Sequence, residues 1–371
     1  MVGVLYFGLF AVSFDFISGY TGYLSFGHAA FYGTGAYLVV LVANGKFAAT
    51  LPVLGTVFAP TTSFLLLLVL AGGLAAVVAF LIGAVSFRLS GVYFAMVTLG
   101  FSQVIYVFVR NWGFVGANPR DGIAVIERTS GFEIGVPWVG GVEIGQLAGE
   151  TVSVFGLIVG KTAVSYYAVG AVVLVCYFAM QRLVHSPFGR VMIAIRENEE
   201  RTRAVGYDTF RYKLAAFTIS GFFAGVAGAL FAGFRRSVTP ENGFFFLVTG
   251  DALLASIIGG FGTLAGSIYG RLLDEGVREF LAKKGSGGGL LPFLRRYLGE
   301  GILGTELIGG VTVGEAVETF LNGHADLYVG LVFVAFVLYV PNGLLGTVRD
   351  RFGGPLAKTL PDAVRRWRDG R

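Results

Sequence analysis

The chain alternates long apolar runs with short polar breaks, and the lengths of the runs predict helices that cross a membrane. A helix rises 1.5 Å per residue, so about 20 apolar residues span the roughly 30 Å of bilayer hydrocarbon. Residues 64–87 and 92–109 are uncharged over such lengths, and Arg88 marks the end of the first run. Runs at 27–42, 162–180, 214–234, 252–270 and 327–348 share this character, whereas 2–17 is barely long enough and ends near Asp15. Within 214–234, Gly221 and Gly225 form a small-xxx-small pair, which predicts close packing of that face on a neighbour. The run at 252–270 has Asp251 at its edge and is expected to be interrupted near Gly262 and Thr263. The pattern predicts an all-α polytopic transmembrane bundle of about eight to ten spans or half-spans over residues 1–348.

Several stretches depart from it. Residues 110–161 carry short alternations such as FEIGV and VEIGQL, which predict small strands or hairpins, and a slightly acidic balance that suits an extracytoplasmic loop. Residues 182–213 are polar and highly charged. There Ser186, Pro187 and Gly189 are expected to break the preceding helix, and Val191, Ile195 and Val205, with Met192 and Ile193, form an apolar face. A short amphipathic helix over 190–206 follows, stopped by Gly206. Residues 271–282 are amphipathic, as a weak continuation of a membrane helix or an interfacial one. Beyond lie a glycine-rich insertion at 283–325, whose KGSGGGL reads as a flexible linker, and a basic tail at 349–371.

Composition removes the soluble alternative. Of 371 residues, 55% are hydrophobic and 14% charged, where a soluble domain has about a quarter charged. The net charge of +5 gathers in the central segment and the tail instead of forming a nucleic-acid-binding stripe. Excess Lys and Arg mark cytoplasmic loops, so both regions are placed inside. The lone Cys176 allows no intramolecular disulfide and fits a packing role. The start lacks a basic n-region, so a signal peptide is not expected. Counting crossings back from the cytoplasmic segment puts Met1 outside if 2–17 and 27–42 both cross. The expectation is that the true start lies earlier or that 27–42 does not fully cross.

The spacing of Glu200 and Gly206 resembles the coupling loop of ABC-importer permeases, with Arg201 and Thr202 standing where that motif has two alanines. The wider wording, GRVMIAIRENEERTRAVGYDTFRYKLAAF, is similar to the branched-chain amino acid permease family, LivM-type. So are the pattern Gly19, Gly22, Ser25, Gly27, His28, Phe31, Gly35, Ala36, Tyr37, the turn and helix FRLSGVYFAMVTLGFSQV, and IIGGFGTLAGSIYG. The resemblance covers most of 19–270 and the last span. It implies a cell-membrane permease subunit of an ABC importer, moving leucine, isoleucine and valine by alternating access. It also implies a second, LivH-type permease, two cytoplasmic ATP-binding subunits and an extracytoplasmic substrate-binding protein. Arg190, Ile195, Arg196, Glu197, Asn198, Glu199, Glu200 and Gly206 become the ATPase-coupling residues. Their apolar face is expected to be covered by the ATPase, and Arg196, Glu197, Glu199 and Glu200 to meet its polar rim. Gly22, Ser25, His28, Gln103, Gly260, Gly262 and Thr263 become candidates for the translocation pathway. Related permeases carrying urea, short amides or other amino acids are the alternative.

The residues themselves narrow the chemistry further. No phosphate-cradling GxxxxGK[ST] occurs, so ATP is expected to bind partner subunits and the chain to need no cofactor of its own. His28 is either a packing residue or a pathway-lining group, and without a second histidine or a carboxylate at ligand spacing it predicts no metal site. Gln103 either lines the path or joins two helices by hydrogen bonds. A channel would need a selectivity filter or charged ring, and an intramembrane enzyme a catalytic pair that the scattered Asp15, His28 and Asp251 do not supply. Asp251 is expected near the outer interface, solvated or paired with Arg235 or Arg236.

Overall fold

A computed structural model describes residues 2–46, 49–51, 55–57, 64–116, 118–125, 133–136, 140–143, 151–154, 157–282, 325–340, 343–344 and 347. The insertion expected at 283–325, apart from its last residue, and the tail at 349–371 lie outside the described residues. The long helices are α1 (Val2–Thr21), α2 (His28–Ala43), α3 (Phe64–Ser86), α4 (Val92–Arg110) and α5 (Lys161–Val184). The charged segment folds as α6 (Pro187–Glu197) and α7 (Glu199–Ala204). Then come α8 (Thr209–Arg235), α9 (Pro240–Phe244), α10 (Phe246–Gly259), α11 (Leu264–Ala282) and α12 (Ala325–Tyr339). Among the described residues five helices, α1, α3, α4, α5 and α8, are long and apolar enough to cross a membrane. A sixth crossing arises if α10 and α11, which meet at a 108° bend, count as one broken span. The chain is a multi-pass membrane protein with a helical bundle for its fold.

Helix α8 is the axis of the bundle, with α1, α2 and α3 packed around it. The expected tight face is present: a Cβ at Gly221 would collide with Ala79, and one at Gly225 with Ala75, both on α3. On the opposite side a Cβ at Gly228 would strike the Tyr32 carbonyl, and one at Gly35 the Gly225 carbonyl. Helices α2 and α8 therefore touch backbone to backbone. Between these contacts lies an aromatic core in which Phe31, Phe87, Phe94 and Phe217 meet mainly edge to face, the arrangement aromatic quadrupoles favour.

The two ends of the bundle differ. One carries α6, α7 and the 87–91 turn and is called the charged end. At the far end Tyr6 of α1 packs on Phe231 and Phe234 of α8, and Asn44 after α2 donates to the Ala124 carbonyl at 2.9 Å. Helix α1 therefore runs the full depth, while α2 begins beside Ser220, well inside α8. The irregular 22–27 segment makes up the rest of the depth, so α2 itself covers only part of the bundle. After α2, β1 (Ala49–Leu51) pairs with β2 (Gly55–Val57), and the alternating sequence at the far end forms the antiparallel hairpins β4 (Glu133–Val136) with β5 (Gly140–Glu143) and β6 (Thr151–Val154) with β7 (Leu157–Gly160). A two-residue pairing of β3 (Ile123–Ala124) with β8 (Ser237–Val238) ties this region to the end of α8.

The interruption expected near Gly262 and Thr263 is present: the run at 252–270 is a helix, a turn and a second helix, because Gly260 at φ 120° and Gly262 at φ 81° hold backbone that residues with a Cβ rarely adopt. Thr263 closes the turn by donating to the Gly260 carbonyl at 2.6 Å.

Candidate functional site: a charged segment seated on three helix ends

Pro187 occupies the first turn of α6, where its fixed φ suits the helix and its missing N–H costs nothing. Gly189, expected to be a breaker, lies inside α6. A side chain there would collide with the Val184 carbonyl, so this glycine permits the sharp return from α5. The continuous helix expected over 190–206 is also corrected. Asn198 sits in extended backbone at φ −162° and ends α6, then caps α7 by accepting the Arg201 N–H at 2.8 Å. An asparagine followed by Glu199 and Glu200 is a helix-start signal present in the sequence that the apolar periodicity masked. Gly206, at φ 100°, ends α7 as expected.

The apolar face meets this chain's own helices. Val191, Met192 and Ile195 are buried, and α6 packs on the ends of α1, α5 and α8. The expectation that a partner covers Val191 and Ile195 is therefore overturned, because burial comes from within the chain. Val205, assigned to the same face, is 73% exposed, and Ile193 on α6 is exposed as well.

The charges divide the same way. Glu199 turns inward: its Oε1 accepts from Lys213 Nζ at 2.7 Å and from Thr209 at 3.0 Å, and its Oε2 accepts from the Tyr23 hydroxyl at 2.6 Å. Lys213 is almost fully enclosed and also donates to the Tyr23 oxygen at 3.0 Å. Arg203 adds a more exposed ion pair at 3.2 Å. Burial alone would raise the Glu199 carboxyl, but the hydrogen bonds from Lys213 and Tyr23 outweigh it and hold the group below its ordinary value. Arg196 also reaches inward, donating to the Gly19 carbonyl at the end of α1 at 2.5 Å. Arg190, Glu197, Glu200 and Arg201 remain exposed. Of the four charges expected at a partner's rim, Glu197 and Glu200 face outward, Glu199 is committed inside, and Arg196, itself exposed, is tied to the Gly19 carbonyl.

The candidate pathway residues do not form one group. Gly22, at φ 77°, has Arg196 beside it, and Gly262 and the Gly260–Thr263 turn face the same guanidinium. His28 is fully enclosed, edge-on to Phe14, Phe31 and Phe217. Ser220 gives its own hydrogen to the Ser13 carbonyl, so His28 must donate from Nε2 to Ser220 at 2.7 Å. In this arrangement the ring packs among aromatic side chains, and its Nδ1 is buried without a hydrogen-bond partner among the described residues. Ser25 is buried and accepts the Gly27 N–H at 3.2 Å, and Gln103 lies apart on α4. Asp251 pairs with Arg278 at 3.2 Å, which corrects the expected Arg235 or Arg236.

Sequence reasoning passed over Asp15, Lys213 and Tyr23. Asp15 is fully buried and accepts the Gly262 N–H at 2.8 Å, joining α1 to the α10–α11 turn. A carboxylate inside an apolar run was itself the signal. Lys213 was counted only as one more cytoplasmic base. Among the described residues no group of histidine, cysteine and carboxylate side chains could hold a metal ion.

A sequence model of the family described as branched-chain amino acid transport system / permease component matches residues 1–286. The high-affinity branched-chain amino acid transport system permease protein LivM of Escherichia coli K12 is 31% identical over 281 residues, 74% of this chain and 60% of that protein. LivM of Salmonella typhimurium LT2 matches with the same identity and coverage. The fructose import permease protein FrcC of Rhizobium meliloti is 27% identical over 123 residues, 31% of this chain and 33% of that protein. The match thus spans less than two thirds of either LivM protein. No solved structure matches the chain with significance.

Proposed function

The chain belongs to the family of branched-chain amino acid transport permeases, and we propose that it is the membrane-spanning subunit of an ATP-driven importer of leucine, isoleucine and valine. In this reading the charged end is cytoplasmic, in keeping with its excess of arginine. The partners are a second permease, two ATP-binding subunits at the charged end and a substrate-binding protein at the far end. The chain hydrolyses no ATP itself. The observation that carries the reading is the construction of α6 and α7. Ile195, Arg196 and Glu199 fasten them to the bundle, while Glu197, Glu200, Arg201 and Val205 stay exposed for a second protein. A docked ATPase that moves these helices moves the ends of α1, α5 and α8 with them, which is what alternating access requires. The broad match to LivM, against the much shorter match to FrcC, favours amino acids over sugars.

The test is co-expression with the other four components, reconstitution in liposomes, and measurement of labelled leucine uptake and ATP hydrolysis on the same sample. Assembly, leucine uptake and binding-protein-stimulated hydrolysis are expected. Glu200→Lys should leave an assembled complex whose hydrolysis no longer responds to loaded binding protein. Normal transport by Glu200→Lys together with Val205→Ala would reduce α7 to a chain-reversing loop.

A further inference from the structure

We propose that Arg196 is a positioning residue of the transport cycle: it relays the movement of α6 to the α10–α11 turn through Asp15. The inference rests on the docking reading above. Three elements meet at this point. Arg196, at the end of α6, donates to the Gly19 carbonyl. Asp15, one helical turn earlier on α1, holds the turn by accepting the Gly262 N–H. A Cβ at Gly19 would collide with both Asp15 and the Gly262 backbone, so α1 and the turn are in direct contact. Gly262 in turn leaves the guanidinium its room, since a Cβ there would stand 3.0 Å from Arg196 Nη1.

The second oxygen of Asp15, Oδ2, is buried and has no hydrogen-bond partner among the described residues. A buried oxygen left unmatched costs free energy, and Arg196 is the cation set against the same turn. Residues four apart lie about 5–6 Å from each other on a helix face. A guanidinium with five donors therefore has two stations on α1, the Gly19 carbonyl it occupies and Asp15 Oδ2 a turn away. Moving between them requires α6 to shift along α1, and Asp15 keeps the Gly262 N–H on Oδ1 throughout. Because the same guanidinium abuts Gly262 and would draw on the carboxyl group that holds the Gly262 N–H, its move re-aims the Gly260–Thr263 turn against α1, and the two glycines of positive φ allow that change.

The experiment uses the complete complex in liposomes, with uptake per ATP hydrolysed as the readout. Arg196→Ala is expected to lower that ratio at least tenfold, and Arg196→Lys to recover part of it. Arg196→Ala combined with Asp15→Asn should be no worse than Arg196→Ala alone. In a Cys176→Ser background, nitroxides at the exposed positions 178 on α5 and 269 on α11 should change separation on ATP binding in the otherwise native complex and not in Arg196→Ala. An unchanged ratio, additive losses, a preserved distance change, or loss of assembly in Arg196→Ala would each overturn the assignment. Failure of the native chain to assemble with an ATPase defeats the functional reading instead, so the two failures are distinguishable.

Discussion

Helices α1 and α3 are both apolar and both long enough to cross a membrane, yet they occupy opposite environments. Helix α1 is enclosed almost throughout and carries Ser13, Asp15, Ser18 and Thr21 into the interior. Helix α3, the more hydrophobic, turns Leu65, Leu66, Val69, Val77, Phe80 and Leu81 outward and keeps its small residues, Ala71, Gly72, Ala75 and Ala79, against α8. In a bilayer the apolar side chain gains nothing by leaving lipid for protein, so close approach and polar pairing decide which face turns inward. Greasiness marks the outside here, and the small or polar residue marks the core.

The largest effect is expected where two backbones touch. Gly228→Leu drives a side chain into the Tyr32 carbonyl and should cost at least about 3 kcal/mol, read as loss of monodisperse protein in detergent. Gly73→Leu, on α3 with nothing within 4 Å, should leave yield and melting temperature unchanged. Equal damage from the two would erase the difference between the helices. Next comes the anchor of the charged segment. Ile195→Ala should destabilise the isolated chain by about 2–5 kcal/mol, measured by thermal unfolding without any partner. No loss without the ATPase would return Ile195 to the interface.

Lys213→Met leaves Glu199 without its closest cation and should cost about 1–3 kcal/mol near neutral pH. The Glu199 carboxyl titrates below its ordinary value of 4.5 in the folded chain. Its contribution is therefore complete above that value and lost as pH falls through the lower folded one. The Lys213→Met penalty should shrink over the same acid range, which proteolysis of the 197–206 segment would follow. A penalty that grows with acid would reverse the sign assigned to Glu199. The smallest effect belongs to Val205→Ala, within about 0.5 kcal/mol in the isolated chain, with any cost appearing only as weaker ATPase capture.

Much of this was legible before any coordinates. The spans at 64–87 and 92–109, the hairpins in 110–161, the Gly221–Gly225 contact and the stop at Gly206 follow from run length, alternation and glycine spacing. These are local properties, and the chain carries them locally. What escaped depended on long-range partners. Nothing near Ile195 says that its cover is α1, α5 and α8 instead of another protein, since both give the same apolar stripe. Lys213 and Glu199 look like two loop charges until Tyr23, 176 residues from Glu199, is brought beside them. Asp251 meets Arg278 because α11 folds back after a 108° bend; the glycines near 262 mark the break but not its angle.

Helix α11 bears on how the chain is made. Its second half holds Arg271, Asp274, Glu275, Arg278 and Glu279, the first four joined by ion pairs to one another and to Asp251, with the Arg271 guanidinium over the Phe7 ring. A charged group entering the bilayer centre alone costs about 2.5–3.5 kcal/mol on insertion scales, so four together would keep this segment from partitioning by itself. The two arginines offset Asp274 and Glu275 once paired, and Phe7 of α1 supplies an aromatic face for Arg271. The segment must therefore wait in the translocon or at the membrane surface until α10 and α1 are there to receive it. Late entry, with the ion pairs forming as α11 packs on α10 and α1, is the order that these charges favour.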